Sequence, residues 1–273
     1  MYEVFEEANS NLTDSKVNIG ACPHMHDGDF AFFFSDIFVE SVQYGNRSGL
    51  CSLMSQIDGQ PLKQKLEAIA AHAKIAGVAP GDYDRRALKN TTITDSSARS
   101  WTYQYCTQYG WFQTPSKFSH GSVNSTAMRP QILNLTYWTD LCQELFETPL
   151  KINRSILEFA KNRVHGTNIV FTNGVEDPWR WATNQHLYIP ELGQKALLAD
   201  CDDCGHCAEL YTPKESDPKS LKEVRYRVYL QVSGWLKGHR EQSQSSLEEI
   251  MSYRVKDHFE SSLKDEQASS QFL

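Results

Sequence analysis

Two short apolar runs in the second half of the chain constrain its fold more than any other feature. Thr167–Thr172 ends at Asn173-Gly174, and Lys195–Ala199 ends in the polar loop Asp200–Cys207. Short runs that are bounded by turn residues and alternate with amphipathic helical segments are typical of strands in an α/β core. The sequence therefore predicts an α/β fold in which these two runs are strands.

A helical period marks the first third of the chain. Apolar residues recur at three- and four-residue steps, at Leu62, Leu66, Ile69 and Ala73. Pro61 suits the first turn of such a helix, and Gly77 suits its C-terminal cap. The pattern predicts a helix here, within a small helical subdomain over residues 29–97.

A second amphipathic helix is predicted after the second apolar run. Asp217-Pro218 should open it, and Gly238 should close it. Its apolar face would consist of Leu221, Val224, Val228, Val232 and Trp235.

Charge and hydropathy exclude two classes of partner. The 273 residues carry a formal net charge of -7, with Lys and Arg scattered singly, so no cationic face suited to nucleic acid is expected. No apolar stretch approaches the roughly 20 residues that cross a bilayer, so no membrane association is expected. A peptide substrate is the predicted partner, and whether the chain forms a homodimer is left open.

An acid and a base follow the two predicted strands. Asp177 comes within a turn of the first strand, and His206 within a turn of the second. Working residues of open α/β sheets gather at the carboxyl ends of strands, and the order Asp then His matches the last part of an α/β-hydrolase triad. The plainer interpretation is that Asp177 caps a helix beginning at Pro178 and that His206 is a loop residue.

Four segments share a further pattern: Ser35–Gly45, Arg99–Cys106, Thr167–Trp179 and Gly205–Leu210. In this order they resemble successive signatures of the prolyl carboxypeptidase, dipeptidyl peptidase II and thymus-specific serine protease family. The resemblance spans residues 35 to about 237. It implies the C-terminal part of a serine exopeptidase that cleaves after proline or small residues, built on an α/β-hydrolase core with a helical cap.

The resemblance also implies roles for individual residues. Asp177 is similar to the triad acid, His206 to the triad base, and Trp179 to an aromatic residue that lines the substrate pocket. Cys106 and Cys142 are similar to a structural disulfide. No cofactor and no metal are expected.

Composition and helical periodicity divide the chain into segments, and the resemblance supplies the names of the cap and the core. Residues 1–28 would be a polar leader, 29–97 the helical cap subdomain, 98–240 the C-terminal part of the α/β-hydrolase core, and 241–273 a polar tail.

The expected nucleophile is missing from the sequence. No Gly-x-Ser-x-Gly turn occurs anywhere in it. Gly45-Asn46-Arg47-Ser48-Gly49 is the nearest imitation, but its spacing is wrong, so Ser48 is not predicted to be the nucleophile. Without a nucleophile no acyl-enzyme can form, although peptide could still bind.

Three closely spaced cysteines, Cys201, Cys204 and Cys207, support rival hypotheses. Cys204 and Cys207 flank His206 in the pattern of a thiol-disulfide oxidoreductase site, and the cluster could instead hold a structural zinc. Local disulfides that brace the His206 loop are the preferred interpretation. The disulfide connectivity of Cys22, Cys51, Cys201, Cys204 and Cys207 is left open.

Six Asn-x-Ser/Thr sequons predict N-glycosylation, at Asn11, Asn46, Asn90, Asn124, Asn134 and Asn153. Together with seven cysteines they favour an extracellular or lysosomal location. Residues 1–7 lack the features of a signal peptide, so the sequence predicts a missing N-terminus.

The functional prediction is a serine-type exopeptidase of prolyl carboxypeptidase or dipeptidyl peptidase type that carries the triad Asp and His without its Ser. The alternative is a catalytically inactive fragment or pseudoenzyme that acts as a binding protein.

Overall fold

The computed structural model describes residues 4, 7–8, 10–93, 95–115, 129–147, 166–184, 188–189 and 193–240. The chain divides into two compact units, Met1–Val164 and His165–Leu273. Helices make up the first unit, and a small sheet with a long helix makes up the second. The mixed α/β class predicted from sequence is therefore confirmed. The predicted polar tail lies outside the described residues.

The helices of the first unit are α1 (Leu12–Asn18), α2 (Asp27–Gln43), α3 (Arg47–Gln56), α4 (Leu62–Ala76), α5 (Arg85–Leu88), α6 (Ala98–Gln104) and α7 (Leu135–Phe146). A π-helical turn, Tyr105–Tyr109, continues α6. Helix α1 falls within the predicted polar leader. It is held there because Lys16, 4% exposed, donates through Nζ to the Met25 carbonyl at 2.7 Å and to Asp27 Oδ1 at 2.6 Å.

Helix α4 forms where the apolar period predicts it. Leu66 and Ile69 are both 0% exposed. Pro61 occupies the N-cap position, one residue before the first turn. Gly77 ends the helix in the left-handed conformation with φ 75°, which costs glycine little because it has no Cβ.

Aromatic side chains form the centre of the first unit. Helix α2 buries Phe30, Phe33, Phe34 and Phe38 at 1% exposure or less. Phe32 of α2 meets Trp138 of α7 edge to face, with ring centroids 4.8 Å apart.

A disulfide joins the last two segments of this unit. Cys106 in the π-helical turn pairs with Cys142 of α7. Because Tyr105 also packs on Trp138, with centroids 5.7 Å apart, the segment Ala98–Phe146 belongs to the first unit.

A buried ion pair links α2 to α5. Asp29 is 0% exposed and accepts from Arg85 Nη2 at 2.8 Å, from Arg85 Nε at 2.9 Å and from the Arg85 backbone N–H at 3.0 Å. Tyr137 donates its hydroxyl to Asp29 Oδ1 at 3.1 Å. A buried carboxylate is tolerated when it is paired and hydrogen-bonded in this way, so removing either partner would leave an uncompensated charge.

The sheet of the second unit has the strand order β1-β3-β2 over the described residues. Strand β1 (Ile169–Gly174) runs parallel to β3 (Gln194–Ala199), and β2 (Tyr188–Ile189) runs antiparallel to β3. The register pairs Ile169 with Gln194 and Gly174 with Ala199. The carboxyl ends of β1 and β3 therefore lie side by side.

Helix α8 (Lys219–Arg240) packs on this sheet. Leu221 and Val224, 5% and 4% exposed, contribute to a small core with Leu197 and Ala199 of β3. The helix continues past Gly238 to Arg240, so the prediction that Gly238 closes it is wrong. Glycine inside a helix lowers its stability by about 1 kcal/mol relative to alanine but does not by itself end the helix.

Among the described residues no helix is both long and apolar enough to cross a membrane.

Candidate active site

The two strand ends place Asp177 and His206 on one edge of the sheet. The chain leaves β1 at Gly174, where the Val175 N–H donates to the Ala199 carbonyl at 2.9 Å, and turns at Asp177, whose N–H donates to the Gly174 carbonyl at 3.2 Å. Because β1 and β3 are adjacent and parallel, the loops that follow them start from the same edge.

Asp177 makes two different contacts with its two carboxylate oxygens. Oδ1 accepts from the Trp179 backbone N–H at 2.8 Å and so caps the short 3₁₀ helix Pro178–Ala182. Oδ2 lies 2.8 Å from His206 Nδ1. The side chain is almost fully buried. Asp177 can therefore cap the helix and bind His206 at the same time, because each contact uses a different carboxylate oxygen.

His206 is held at Nδ1 and remains about one third exposed. The hydrogen bond to Asp177 raises the pKa of His206 above its ordinary value, partial burial opposes this rise, and the charge of Asp177 adds to it. A carboxylate at Nδ1 fixes that nitrogen as the donor, which leaves Nε2 as the nitrogen suited to accept a proton.

The loop before His206 is braced against β1. A disulfide joins Cys201 to Cys204, as local disulfide bracing predicts. The Glu176 N–H donates to the Cys204 carbonyl at 3.1 Å. A Cβ added at Gly174 would lie 2.2 Å from that same oxygen, so only glycine allows the loop to approach this closely.

The cysteine pairing does not support the oxidoreductase alternative. Cys204 is bonded to Cys201 and is unavailable to Cys207. Burial raises the pKa of the Cys207 thiol, the opposite of what a reactive thiolate needs. The zinc alternative finds no support either, because no group of three His, Cys, Asp or Glu side chains in the described part of the chain is placed to hold a metal ion.

Two tryptophans follow Asp177, and they differ in exposure. Trp179, the predicted pocket aromatic, is partly buried. Trp181 is 70% exposed, and the Arg180 guanidinium lies 4.7 Å from its ring centroid.

Comparison with known proteins identifies the family. A model of the family described as serine carboxypeptidase S28 matches residues 8–228, which is most of the chain. The chain belongs to the serine carboxypeptidase S28 family. This confirms the relationship suggested by the four sequence signatures.

Relatives come from plants, animals and fungi. The probable serine protease EDA2 of Arabidopsis thaliana is 29% identical over 240 residues, which cover 81% of this chain and 47% of that protein. The thymus-specific serine protease of Mus musculus is 27% identical over 55% of this chain and 29% of that protein. A probable extracellular serine carboxypeptidase of Arthroderma benhamiae is 26% identical over 65% of this chain and 25% of that protein. The chain spans about half of these relatives' lengths or less.

A serine–histidine contact lies within the helical unit of this S28 chain. Ser41 Oγ lies 2.7 Å from His72 Nε2, and it also donates to the Ile37 carbonyl at 2.6 Å. The Ser41 hydroxyl has one proton for two acceptors within reach, the Ile37 carbonyl and His72 Nε2, so the direction of the Ser41–His72 hydrogen bond follows the tautomer of His72. Ser41 is 2% exposed within α2, so this pair has a packing role.

Ser48 and the six sequon asparagines are the remaining residues named from the sequence, and the structure describes all of them except two asparagines. Ser48 lies in the first turn of α3, which is unlike the strand-to-helix turn of a hydrolase nucleophile. Four sequon asparagines are exposed: Asn11, Asn46, Asn90 and Asn134. Asn124 and Asn153 lie outside the described residues.

Proposed function

We propose that this chain supplies the acid and the base of a serine-type exopeptidase. Asp177 orients His206, and Nε2 of His206 accepts the proton of a serine nucleophile and returns it to the leaving amine. The observation that carries the proposal is the 2.8 Å contact between His206 Nδ1 and Asp177 Oδ2 at the ends of two adjacent parallel strands. Membership of the S28 family supports the same chemistry.

The fold proposed for the catalytic part is an α/β-hydrolase core, with the helical subdomain of residues 29–97 as its cap. The β1-β3 pair, followed by Asp177 and His206 in that order, supports this assignment. Peptide is the proposed substrate, with Trp179 in the pocket for the residue beside the cleaved bond. Cleavage after proline or small residues rests on the family resemblance.

A fluorophosphonate probe, which reacts only with activated serines, tests the catalytic proposal. The 273-residue chain, made in a secretory host, is compared with His206→Ala and Asp177→Asn, and His24→Ala serves as an exposed control outside the site. Labelling that His206→Ala abolishes, that Asp177→Asn reduces by orders of magnitude, and that His24→Ala leaves unchanged would show that a serine of this chain works with the Asp177–His206 pair. Labelling that survives His206→Ala would overturn the proposal.

The second candidate function is peptide binding without catalysis. It is favoured by one observation, the lack of a Gly-x-Ser-x-Gly turn in the sequence. Folded protein that shows no probe labelling, yet binds peptide in calorimetry, would establish this function in place of the first.

We infer that the chain is a glycoprotein of an extracellular or lysosomal compartment. Four exposed sequon asparagines and two disulfides support this location. Asn11 and Asn134 cap α1 and α7 through their side-chain oxygens, so their amide nitrogens can carry a sugar while the caps persist. An unchanged mass after N-glycosidase treatment of secreted protein would contradict the inference.

A further inference from the structure

Arg225 joins helix α8 to the turn that directly follows His206. It lies near the start of α8 and is 8% exposed. Its Nε donates to the Glu209 carbonyl at 3.0 Å, and its Nη2 donates to the Ala208 carbonyl at 2.9 Å and to the Tyr211 carbonyl at 3.3 Å. One guanidinium therefore satisfies three backbone carbonyls of one turn.

The turn that Arg225 holds is the 3₁₀ segment Ala208–Leu210. It is separated from His206 only by Cys207, which has φ 54°. A left-handed conformation at a residue other than glycine is strained and persists only when the surroundings impose it. The orientation of the backbone just after His206 thus depends on contacts from outside the loop.

Two elements provide those contacts. From β1, Thr172 Oγ1 donates to Glu209 Oε1 at 2.6 Å. From α8, Arg225 holds the carbonyls. Its Nη1 also pairs with Asp217, whose Oδ2 accepts from the Lys214 N–H at 2.8 Å. The ion pair with Asp217 therefore fixes the orientation of the Arg225 guanidinium, whose other nitrogens contact the turn.

We propose that Arg225 is the positioning residue for His206: its planar fork holds the 208–211 turn so that the imidazole meets Asp177. The proposal rests on the proposed role of the Asp177–His206 pair. A guanidinium presents donors in fixed directions, whereas an ammonium is a single point of charge that cannot reach several carbonyls in one plane. Arg225→Lys keeps the positive charge but loses the planar geometry, whereas Arg225→Gln loses both, so the two variants separate the effect of geometry from that of charge.

Loss of a positive charge and loss of positioning would shift the pKa of His206 in opposite directions. Removing a nearby positive charge favours protonation and raises the pKa of His206. Losing the hydrogen bond to Asp177, which is the main cause of the raised pKa, lowers it. A fall in the pKa of His206 after substitution of Arg225 is therefore a sign of lost positioning.

The experiment is an NMR titration of the His206 imidazole in the 273-residue chain, with the signal assigned by its loss in His206→Gln. Arg225→Lys and Arg225→Gln are compared with Arg227→Gln, an exposed control on the same helix that pairs with Glu223. We expect both Arg225 variants to lower the pKa of His206 by about half a pH unit or more, and the control to leave it unchanged.

Several outcomes would overturn the proposal. Folded Arg225 variants with an unchanged or higher pKa of His206 would reduce Arg225 to a structural or electrostatic role, and so would full rescue by Arg225→Lys. If both variants fail to fold, Asp217→Asn replaces them, because it keeps Arg225 and removes only its carboxylate partner. A pKa of His206 that is unchanged in Asp217→Asn then counts against the proposal.

Failure of the underlying proposed function gives a different result. In that case the wild-type chain itself shows an ordinary pKa for His206, and Asp177→Asn does not lower it. A raised wild-type pKa that responds to Asp177→Asn but not to Arg225 variants would leave the acid–base pair intact and remove only Arg225 from it.

Discussion

Single side chains in the helical unit show how burial changes acidity. Asp36 and Glu40 lie one turn apart on α2, and Asp36 pairs with Arg129 at 2.6 Å. Tyr83 donates its hydroxyl to Glu40 Oε1 at 3.2 Å. Burial first, and then the charge of Asp36, raises the pKa of Glu40 from 4.5 to about 7. This carboxyl therefore loses its proton at a higher pH in the folded protein than an ordinary glutamate does.

The raised pKa of Glu40 predicts a stability that depends on pH. Its contribution is fully present below pH 4.5 and is lost as the pH rises through about 7, because the folded state then has to hold a charge it disfavours. After allowance for solvent screening, Glu40→Gln should stabilise the chain by about 1–2 kcal/mol at about pH 8 and by almost nothing at about pH 4. Urea unfolding at both pH values measures the difference.

The control for this prediction is Glu67→Gln, an exposed carboxyl on α4. It should change stability little at either pH. Equal effects of Glu40→Gln at acid and alkaline pH would show that the pKa of Glu40 is ordinary.

At the scale of elements, the site depends on the close approach of a strand end to a loop. Strand β1 ends at Gly174, which packs against the backbone of Cys204 and Gly205. A Cβ at this position would lie 2.2 Å from the Cys204 oxygen and 2.3 Å from the Gly205 oxygen. Both atoms are backbone, so neither can rotate away as the end of a side chain would.

Gly174→Ala should therefore disturb the loop that carries His206. We expect a loss of about 1–3 kcal/mol in the free energy of unfolding, together with a lower pKa of His206 as its contact with Asp177 lengthens. Gly234→Ala is the matched control, since nothing lies within 4 Å of its added Cβ in α8. It should stabilise by about 0.5–1 kcal/mol. A Gly174→Ala protein as stable as the wild type would refute the close approach.

At the scale of the whole molecule, the seven cysteines separate into two disulfides and three thiols. Cys106–Cys142 lies in the first unit and Cys201–Cys204 in the second, and each closes a connection within its own unit. Cys22, Cys51 and Cys207 are free. The Cys106–Cys142 bond closes a loop of 36 residues, long enough to reduce the entropy of the unfolded chain substantially.

Thiol titration in denaturant should therefore find three reactive groups before reduction, as the free cysteines predict. The double variant Cys106→Ala/Cys142→Ala should lose about 3–4 kcal/mol of stability. Cys51→Ser, at an exposed position on α3, should lose almost none. A count of one thiol would mean that a further disulfide exists.

The sequence alone determined those elements whose signals are local. The period from Leu62 to Ala73 and the glycine after it define α4, and the apolar runs define β1 and β3. The positions of Asp177 and His206 after those strands followed from the general geometry of parallel sheets. The end of α8 was misjudged at Gly238, because the helix continues to Arg240 and a single glycine only lowers helix stability.

Only the tertiary structure decided which distant groups meet. Two carboxylate oxygens of Asp177 serve a helix cap and His206 at once, and Cys204 pairs with Cys201 rather than with Cys207. Arg225 reaches back to the turn after His206 from a helix that begins nine residues beyond that turn. Sequence periodicity records the environment of each residue along its own element. Such a pattern carries no information about contacts between different elements, and those contacts bring the residues of the site together.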